Sequence, residues 1–251
     1  MKKLIFTVLV MAVLTATADA DPISHWKLDE TIGNTTSDSA DGNPGTVYGA
    51  QWTTGRVGGA LSFDGVNDYV DVGDKDNLDF GATASFSIAA WVNSNIDTYV
   101  DTAIVDKKRI DAGGYSREGY TFKIYMDTLY FGIEDTSSNV VVTAGNTPIR
   151  DNKWHHVAAV RDTAQDKLYI YLDGVLDAAP VVDTTIGTLA TSRSFRIGYA
   201  QYYPIFFDGM IDDVRVYNHA LSQNEIVAIM PEPATLLLLG LGAIMLKTSR
   251  R

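Results

Sequence analysis

The region from residue 24 to residue 217 alternates short runs of β-branched and aromatic residues with turns rich in Gly, Asp, Asn, Ser and Thr. Runs of this length are typical of strands, and helical periodicity is scarce along the same region. The predicted strands are 24–28, 60–63, 69–72, 85–92, 121–126, 129–134, 139–143, 155–161, 167–172, 194–198 and 210–217. About eleven strands predict an all-β fold of two packed sheets or a barrel.

Short connections within this region predict antiparallel neighbours. Residues 126–129 and 172–175 are typical of hairpin turns, and the Asp173-Gly174 pair tolerates the positive φ that such turns need. After the last strand, Ser222 is followed three residues later by Glu225, which forms a capping box and predicts a short closing helix. Residues 21–230 are long enough for one all-β domain with a substantial core.

The N-terminal segment has the pattern of a signal peptide. Two lysines precede an apolar run at 4–16, and the small residues Ala18 and Ala20 stand where a signal peptidase accepts them. The pattern predicts a signal-peptide helix within residues 1–20, cleavage after Ala20, and a mature chain that starts at Asp21.

The C-terminal segment combines a short proline motif, an apolar run and a basic end. These parts are Pro231, Glu232 and Pro233, then 234–246, then Arg250 and Arg251. The apolar run predicts a short helix that is shorter than the roughly 20 residues of an upright membrane span, with its basic end on the cytoplasmic side. The three parts together resemble the PEP-CTERM sorting signal of Gram-negative bacteria that export extracellular polysaccharide. The resemblance implies transient membrane anchoring, an exosortase-type sorting enzyme as partner, and export to the outer surface, matrix or periplasm.

The charge balance restricts the partners of the domain. The whole chain carries −11, residues 1–20 carry +1 and residues 231–251 carry +2, so residues 21–230 carry −14. An acidic surface repels phosphate backbones, so nucleic acid is not expected as a partner. The chain has no cysteine, which excludes thiol catalysis and Cys-based metal sites.

Six segments occur in the order typical of the bacterial laminin-G-like family of concanavalin A-like lectin domains, which they resemble. They are 25–30 (HWKLDE), 61–70 (LSFDGVNDYV), 86–92 (FSIAAWV), 154–158 (WHHVA), 171–174 (YLDG) and 208–222 (DGMIDDVRVYNHALS). The resemblance covers essentially residues 24–229. It implies a two-sheet antiparallel jelly-roll sandwich with one calcium ion near a sheet edge, and a binding module rather than an enzyme.

Oxygen-rich side chains in the turn at 64–68 and in the last strand suit calcium, which takes six to eight oxygen ligands. By the family resemblance, the expected calcium ligands are Asp64, Asp212, Gly65 through its carbonyl, Asn67 and Asp29. The alternative is that these residues cap turns, with one buried aspartate paired to Arg215.

The segment 199–207 is unusually aromatic for a connection between strands. Its candidate ligand-binding side chains, which either stack on sugar rings or fold into the core, are Tyr202, Tyr203, Phe206 and Phe207. The first functional interpretation is a calcium-stabilised, lectin-like module for extracellular polysaccharide. The alternative is a structural or adhesive protein that binds another surface protein.

A hydrolase or lyase is the third interpretation of the sequence. A glycosidase needs two carboxylates across a cleft, and the strand with alternating acidic residues that related glycosidases use is missing. A lyase would need Tyr, His and Arg to converge, and nothing in the sequence aligns Tyr125, His155 and Arg161. Because His155 and His156 are successive strand residues on opposite faces, they are not expected to bind one metal.

Overall fold

The structure, a computed structural model, describes residues 21–94, 101–108, 117–201 and 204–230. The predicted signal peptide with Ala18 and Ala20, the C-terminal motif, and Tyr202 and Tyr203 lie outside the described residues. Among the helices of the described part, none is both long enough and apolar enough to cross a membrane.

The described residues form 19 strands, one 3-10 turn and one α-helix. The strands are β1 (Ser24–Trp26), β2 (Thr35–Thr36), β3 (Gly45–Tyr48), β4 (Gln51–Thr54), β5 (Gly59–Asp64), β6 (Tyr69–Gly73), β7 (Phe86–Ser94), β8 (Thr102–Lys108), β9 (Gly119–Tyr125), β10 (Thr128–Glu134), β11 (Val140–Ala144), β12 (His155–Asp162), β13 (Lys167–Leu172), β14 (Val175–Leu176), β15 (Val181–Val182), β16 (Phe195–Ile197), β17 (Tyr199–Ala200), β18 (Ile205–Phe206) and β19 (Asp208–Tyr217). The 3-10 turn is Asp76–Leu78, and the helix is α1 (Gln223–Ala228).

Two large antiparallel sheets pack face to face and confirm the predicted sandwich. In the part of the chain that the structure describes, the nine-stranded sheet has the order β14-β13-β12-β7-β19-β5-β4, with β1 on β19 and β15 on β13. The eight-stranded sheet has the order β11-β10-β9-β8-β16-β6-β3-β2. A small hairpin, β17–β18, is separate from both sheets.

The core lies between the two sheets and is rich in aromatic rings. Trp26 stacks on Phe195 with ring centroids 5.1 Å apart, and Phe86 stacks on Phe80 at 4.1 Å. Alternate residues of each strand enter this core because side chains alternate between the faces of a sheet. The aliphatic residues of β13 follow this rule, since Leu168 and Ile170 are fully buried in the core.

All eleven predicted strands occur, with end points shifted by a few residues at most, and both hairpin turns are confirmed. The sequence analysis did not predict eight of the described strands, which are β2, β3, β4, β8, β14, β15, β17 and β18. The longest of them is β8, which lies in the middle of the eight-stranded sheet. This strand ends in charged residues, which a buried strand seldom contains. The structure accommodates them because the buried Lys107 ammonium contacts Asp74 at 2.8 Å and Asp79 at 3.0 Å.

Helix α1 covers the outer face of the nine-stranded sheet. Its capping box is confirmed, with the Ser222 side chain accepting from the Glu225 backbone and the Glu225 side chain accepting from the Ser222 backbone. Ile226 of the helix is buried in one cluster with Tyr171 and Tyr217. The tyrosines of β13 therefore serve mainly to pack the helix on the sheet.

Arg161 of β12 is a fully buried cation that joins several connections. Its Nε donates to Asp183 at 2.7 Å, and its terminal nitrogens donate to the carbonyls of Gly81, Ala82 and Ala84. Removing one partner of a buried ion pair leaves an uncompensated buried charge. The free energy of unfolding then falls by more than the intact pair contributes to it.

We expect Arg161→Met to lower the free energy of unfolding by about 3–5 kcal/mol, because it leaves the buried Asp183 carboxylate without its cation. Lys153→Met is the matched control, since Lys153 is an exposed partner of Asp151, and its effect should stay within about 0.5 kcal/mol. Urea unfolding of both variants measures the difference. Equal, small losses in the two variants would contradict the structural role of Arg161.

Candidate functional site

The outer face of the eight-stranded sheet carries a group of aromatic side chains. On β6, Val70 and Val72 enter the core, whereas Tyr69 and Asp71 lie on the outer face. The β3–β6 register places Tyr48 directly opposite Tyr69. Cross-strand neighbours on one face are close enough for ring contact.

Four aromatic rings, each in contact with the next, form what we call the tyrosine row: Tyr48, Tyr69, Tyr199 and Phe206. Tyr48 stacks on Tyr69 with ring centroids 4.7 Å apart and an interplanar angle of 14°. Tyr69 contacts Tyr199 at 5.3 Å, and Tyr199 stacks on Phe206 at 4.5 Å across the β17–β18 hairpin. Tyr48 as a whole residue is 46% exposed, so the row reaches the solvent at this end.

Arg196 of β16 fixes the middle of the tyrosine row. Its guanidinium lies over the Tyr69 ring at 5.8 Å and over the Tyr199 ring at 5.2 Å. Its Nε donates to Asp71 at 3.2 Å, which balances the charge and holds the guanidinium in place. Burial is the main cause that raises the pKa of the Tyr69 phenol, so this hydroxyl stays protonated at neutral pH and can donate a hydrogen bond.

The β17–β18 hairpin anchors the row to the sheet. Ala200 and Ile205 of the hairpin bury Ala103 of β8 in a small apolar cluster. Phe206 therefore faces the row. Phe207 is fully buried and contacts Phe63 edge to face at 6.0 Å, so for this residue the structure shows the inward alternative: it is a core residue and presents no ring face to a ligand.

The turn at 64–68 is capped by its own side chains. Asp64 Oδ1 accepts from the backbone N–H of Val66 at 2.8 Å and of Asn67 at 3.3 Å. Gly65 has φ +75°, and a Cβ there would approach Asp208 to 2.9 Å, so this position requires glycine. Asp64 therefore fits the turn-capping alternative of the sequence analysis, with Gly65 and Asn67 as parts of the capped turn, and calcium binding at this turn stays a prediction.

The other two predicted calcium ligands lie together at a different place. Asp212 is fully buried, and its Oδ2 accepts from Val57 N–H at 2.8 Å. Asp29 Oδ1 accepts from Gly59 N–H at 2.6 Å on the same loop. Asp64 pairs with Asp208, four residues from Asp212, which is about 13 Å along a strand. The five residues thus divide into two groups.

Asp212 has a buried carboxylate oxygen that is available to bind a cation. Its Oδ1 is buried without a hydrogen-bond partner among the described residues. Burial, with the charges of Asp213 and Asp29, raises the pKa of Asp212 to about 7. A Cβ at Gly55 would collide with the Gly59 carbonyl oxygen and lie 2.6 Å from Asp212 Oδ2, so carboxylate and backbone oxygens converge there.

These oxygens fit a hard cation better than the turn at 64–68 does. Among the described residues, no group of three or more His, Asp and Glu side chains is arranged to hold a metal ion. Calcium at Asp212 would therefore also depend on backbone oxygens. The aspartate that pairs with Arg215 is the adjacent Asp213, whose Oδ2 lies 2.8 Å from Arg215 Nη2.

The two adjacent histidines make separate contacts, as expected for successive strand residues on opposite faces of a sheet. His155 Nδ1 contacts Asp173 at 2.8 Å, and this hydrogen bond is the main cause that raises the pKa of His155. His156 is buried beside Trp91, and burial lowers its pKa to about 4. The residues that a lyase would use are also separated, since Tyr125 lies on the eight-stranded sheet and Arg161 of the other sheet is held by Asp183.

Two carboxylates on the outer face of the eight-stranded sheet are engaged by protein groups. Burial raises the pKa of Asp106 to about 6, against hydrogen bonds from the Thr121 side chain and the Lys108 backbone. Glu134 lies 2.9 Å from the Lys108 ammonium. Both side chains are buried, and their contacts account for their positions within the sheet.

The packed antiparallel sheets with an aromatic outer face define a concanavalin-type β-sandwich. The family model of the concanavalin A-like lectin/glucanases superfamily matches residues 64–227, and the chain belongs to this family. The model of the PEP-CTERM protein-sorting motif matches residues 231–251, which confirms the predicted resemblance and indicates an exported protein that is sorted to the surface. Among curated proteins, no match to this chain was found.

Solved structures of binding domains share the fold. The binding domain of Paraclostridial Mosquitocidal Protein 1 has 14% identity and a TM-score of 0.64, with 84% of this chain and 51% of that chain covered. The botulinum neurotoxin serotype D ligand-binding domain, in complex with N-acetylneuraminic acid, has 14% identity and a TM-score of 0.63, with coverages of 83% and 50%. This chain thus spans about half the length of these toxin domains.

A third structure is covered almost completely. It is domain 4 of AbnA, a GH43 extracellular arabinanase from Geobacillus stearothermophilus, in complex with arabinotriose. It has 20% identity and a TM-score of 0.61, with 84% of this chain and 98% of that domain covered. These similarities establish the fold, and function must be argued from the site.

The raised pKa of Asp212 leads to a testable pH dependence. The pKa of the Asp212 carboxyl is raised from its ordinary 3.8 to about 7 in the folded protein, so the folded protein binds this proton more tightly than the unfolded chain does. In calcium-free buffer, the contribution of Asp212 to stability is present at pH 4 and lost as the pH rises through about 7.

Asp212→Asn should flatten this decline, because the amide does not ionise. Thermal unfolding of both proteins from pH 4 to 8 with excess chelator measures the effect. Asp106 and the histidines titrate in both proteins, so subtracting one pH profile of stability from the other leaves the contribution of Asp212. Parallel profiles would contradict the assignment.

Proposed function

We propose that this protein is an exported, non-catalytic binding module for extracellular polysaccharide, and that the tyrosine row is its binding surface. The observation that carries the proposal is the row itself, four aromatic rings in contact on one outer sheet face. Tyrosine combines a broad apolar ring with a hydroxyl that can hydrogen-bond, which suits the alternating C–H and O–H surface of a sugar.

The row is held in place before any ligand binds. The Arg196–Asp71 pair and the hairpin contact on Ala103 restrict the rings, so binding would require little ordering of side chains. Two proteins of the same fold were solved with carbohydrate ligands, arabinotriose and N-acetylneuraminic acid. These ligands support a carbohydrate for this chain over the alternative, a surface protein.

The C-terminal motif is consistent with the same role. A PEP-CTERM motif at residues 231–251 implies an exosortase-type partner and transient membrane anchoring. The predicted signal peptide at residues 1–20 would direct export. Together they would display the domain at the outer surface, in the matrix or in the periplasm of a Gram-negative bacterium, where polysaccharide is available.

Calcium is proposed as a structural ion at the loop beside Asp212. Asp212, Asp29 and nearby backbone oxygens would hold it, and its charge would stabilise the ionised Asp212 carboxylate. The unpartnered Oδ1 of Asp212 supports this position. The ion would fix the connection at 55–59 to the last strand and would have no direct part in contacting a sugar.

The binding proposal predicts a loss of affinity in a row variant. We expect Tyr48→Ala to weaken binding to a neutral polysaccharide about tenfold, which corresponds to about 1.4 kcal/mol of a buried aromatic contact. Affinity electrophoresis in gels that contain arabinan, galactomannan or hydroxyethyl cellulose identifies the polymer, and titration calorimetry measures the affinity.

The matched control is Tyr169→Ala, which removes a half-buried tyrosine from the other sheet. Thermal unfolding of both variants shows whether they remain folded. Binding to none of the polysaccharides, together with capture of a defined surface protein, would favour the adhesive alternative. Release of reducing or unsaturated sugar ends would instead identify an enzyme.

The calcium proposal predicts different behaviour of two aspartates. Calcium at about one hundred times its Kd should stabilise the protein by about 2.7 kcal/mol relative to excess chelator. Asp212→Asn should abolish this increase in Tm, because it removes a ligand charge. Asp64→Asn should retain it, because Asp64 belongs to the turn group. The opposite outcome would move the ion to the turn at 64–68.

A further inference from the structure

A second aromatic group lies on the same face of the eight-stranded sheet. We call it the lysine cluster, and it consists of Lys123, Tyr125, Tyr130 and Asp101. The Lys123 ammonium lies 4.9 Å from the Tyr125 ring centroid and 4.7 Å from that of Tyr130. It also contacts Asp101 Oδ2 at 2.7 Å. The cluster has the composition of the middle of the tyrosine row, with tyrosines around a cation that an aspartate neutralises.

The two groups lie at similar positions along their strands. Tyr69 is on β6 and Tyr130 is on β10, with β16, β8 and β9 between them. At about 4.8 Å per strand, this separation is about 19 Å. Tyr125 as a whole residue is 41% exposed, comparable to Tyr48 at the other end.

A cavity of about 270 Å³ lies between the two groups. Its lining includes Phe206 of the tyrosine row and Asp101 of the lysine cluster, and it also includes Asp64, Asp208 and Thr102. The row, the cavity and the cluster therefore form one path, which runs along the rim where β5 ends and β8 and β19 begin, beside the hairpin that packs on β8. Its two ends are aromatic, and its middle is rich in carboxylates.

The charges along this path select the chemistry of its ligand. Arg196 is paired with Asp71 and Lys123 with Asp101, so both cations are already neutralised by protein groups. Asp64 and Asp208 add two carboxylates to the cavity lining, and Arg150 interacts electrostatically with Asp208 and with Asp101. Carboxylates accept hydrogen bonds from hydroxyl donors and repel carboxylate or sulfate groups at short range.

We propose that the tyrosine row, the cavity and the lysine cluster form one elongated track that binds an extended, uncharged polysaccharide chain. Sugar rings stack at both aromatic ends, and hydroxyl groups donate to the carboxylates of the middle. This inference rests on the proposed function and deepens it, because it defines the charge class and the extended form of the ligand. Once a long chain is bound at one end of the track, its contact with the other end is intramolecular and therefore favoured. A short fragment lacks this gain in affinity.

The test combines a variant at each end with ligands of different length and charge. The full chain and its variants Tyr48→Ala, Tyr125→Ala and the double variant are titrated with oligosaccharides of increasing length. These are prepared from a neutral polymer, arabinan, galactomannan or hydroxyethyl cellulose. Polygalacturonate and alginate serve as the anionic polymers, Tyr169→Ala as the control, and thermal unfolding monitors folding.

We expect affinity to rise with chain length and each single variant to weaken the binding of long chains by about tenfold or more. With a disaccharide, which cannot reach both ends, the length-dependent gain should be absent and the effect of Tyr125→Ala should not add to that of Tyr48→Ala. The anionic polymers should bind more weakly than the neutral ones.

Three results would overturn the track. Wild-type affinity for long chains with Tyr125→Ala, together with a loss in Tyr48→Ala, would limit binding to the tyrosine row and leave the proposed function intact. Preference for polygalacturonate or alginate would refute the uncharged ligand. Binding of none of these polymers would reject the proposed function together with the track.

Discussion

The structure depends on the packing of two sheets through a core that occupies one face of each. Burial of large apolar side chains is the main favourable term in folding, and here the core includes Trp26, Phe86, Tyr120 and Phe195. Because side chains alternate along a strand, committing one face of β6, β9 and β10 to the core also fixes which residues face outward. The aromatic outer face of the eight-stranded sheet follows from this constraint.

The proposed binding track contains residues from widely separated parts of the chain. Tyr48 and Tyr69 meet through the β3–β6 register, and Tyr199 reaches them from a hairpin that packs on β8. The sequence analysis placed ligand-binding aromatics in the segment 199–207 and correctly noted that they could also fold inward. Phe206 and Phe207 take opposite directions because they are successive residues, one facing the row and the other the core.

The predicted calcium ligands also show that the sequence does not reveal which distant residues lie together. Asp64 and Asp212 were grouped because the family places calcium between early chain and the last strand. The β5–β19 register separates them, and Asp212 lies near Asp29 through the loop at 55–59. A turn rich in carboxylates looks the same in sequence whether its oxygens bind an ion or cap backbone N–H groups, and the structure shows that the Asp64 carboxylate accepts from two such N–H groups.

The sequence by itself determined the fold class, eleven of the strands, two hairpin turns, the capped helix and the C-terminal sorting motif, because these follow from local periodicity and short motifs. The tertiary structure alone decided the remaining features. It placed β8 at the centre of a sheet because distant aspartates neutralise its buried lysine. It also assembled the aromatic track and the Asp212 loop, because strand register and loop packing bring together residues that are far apart in the chain.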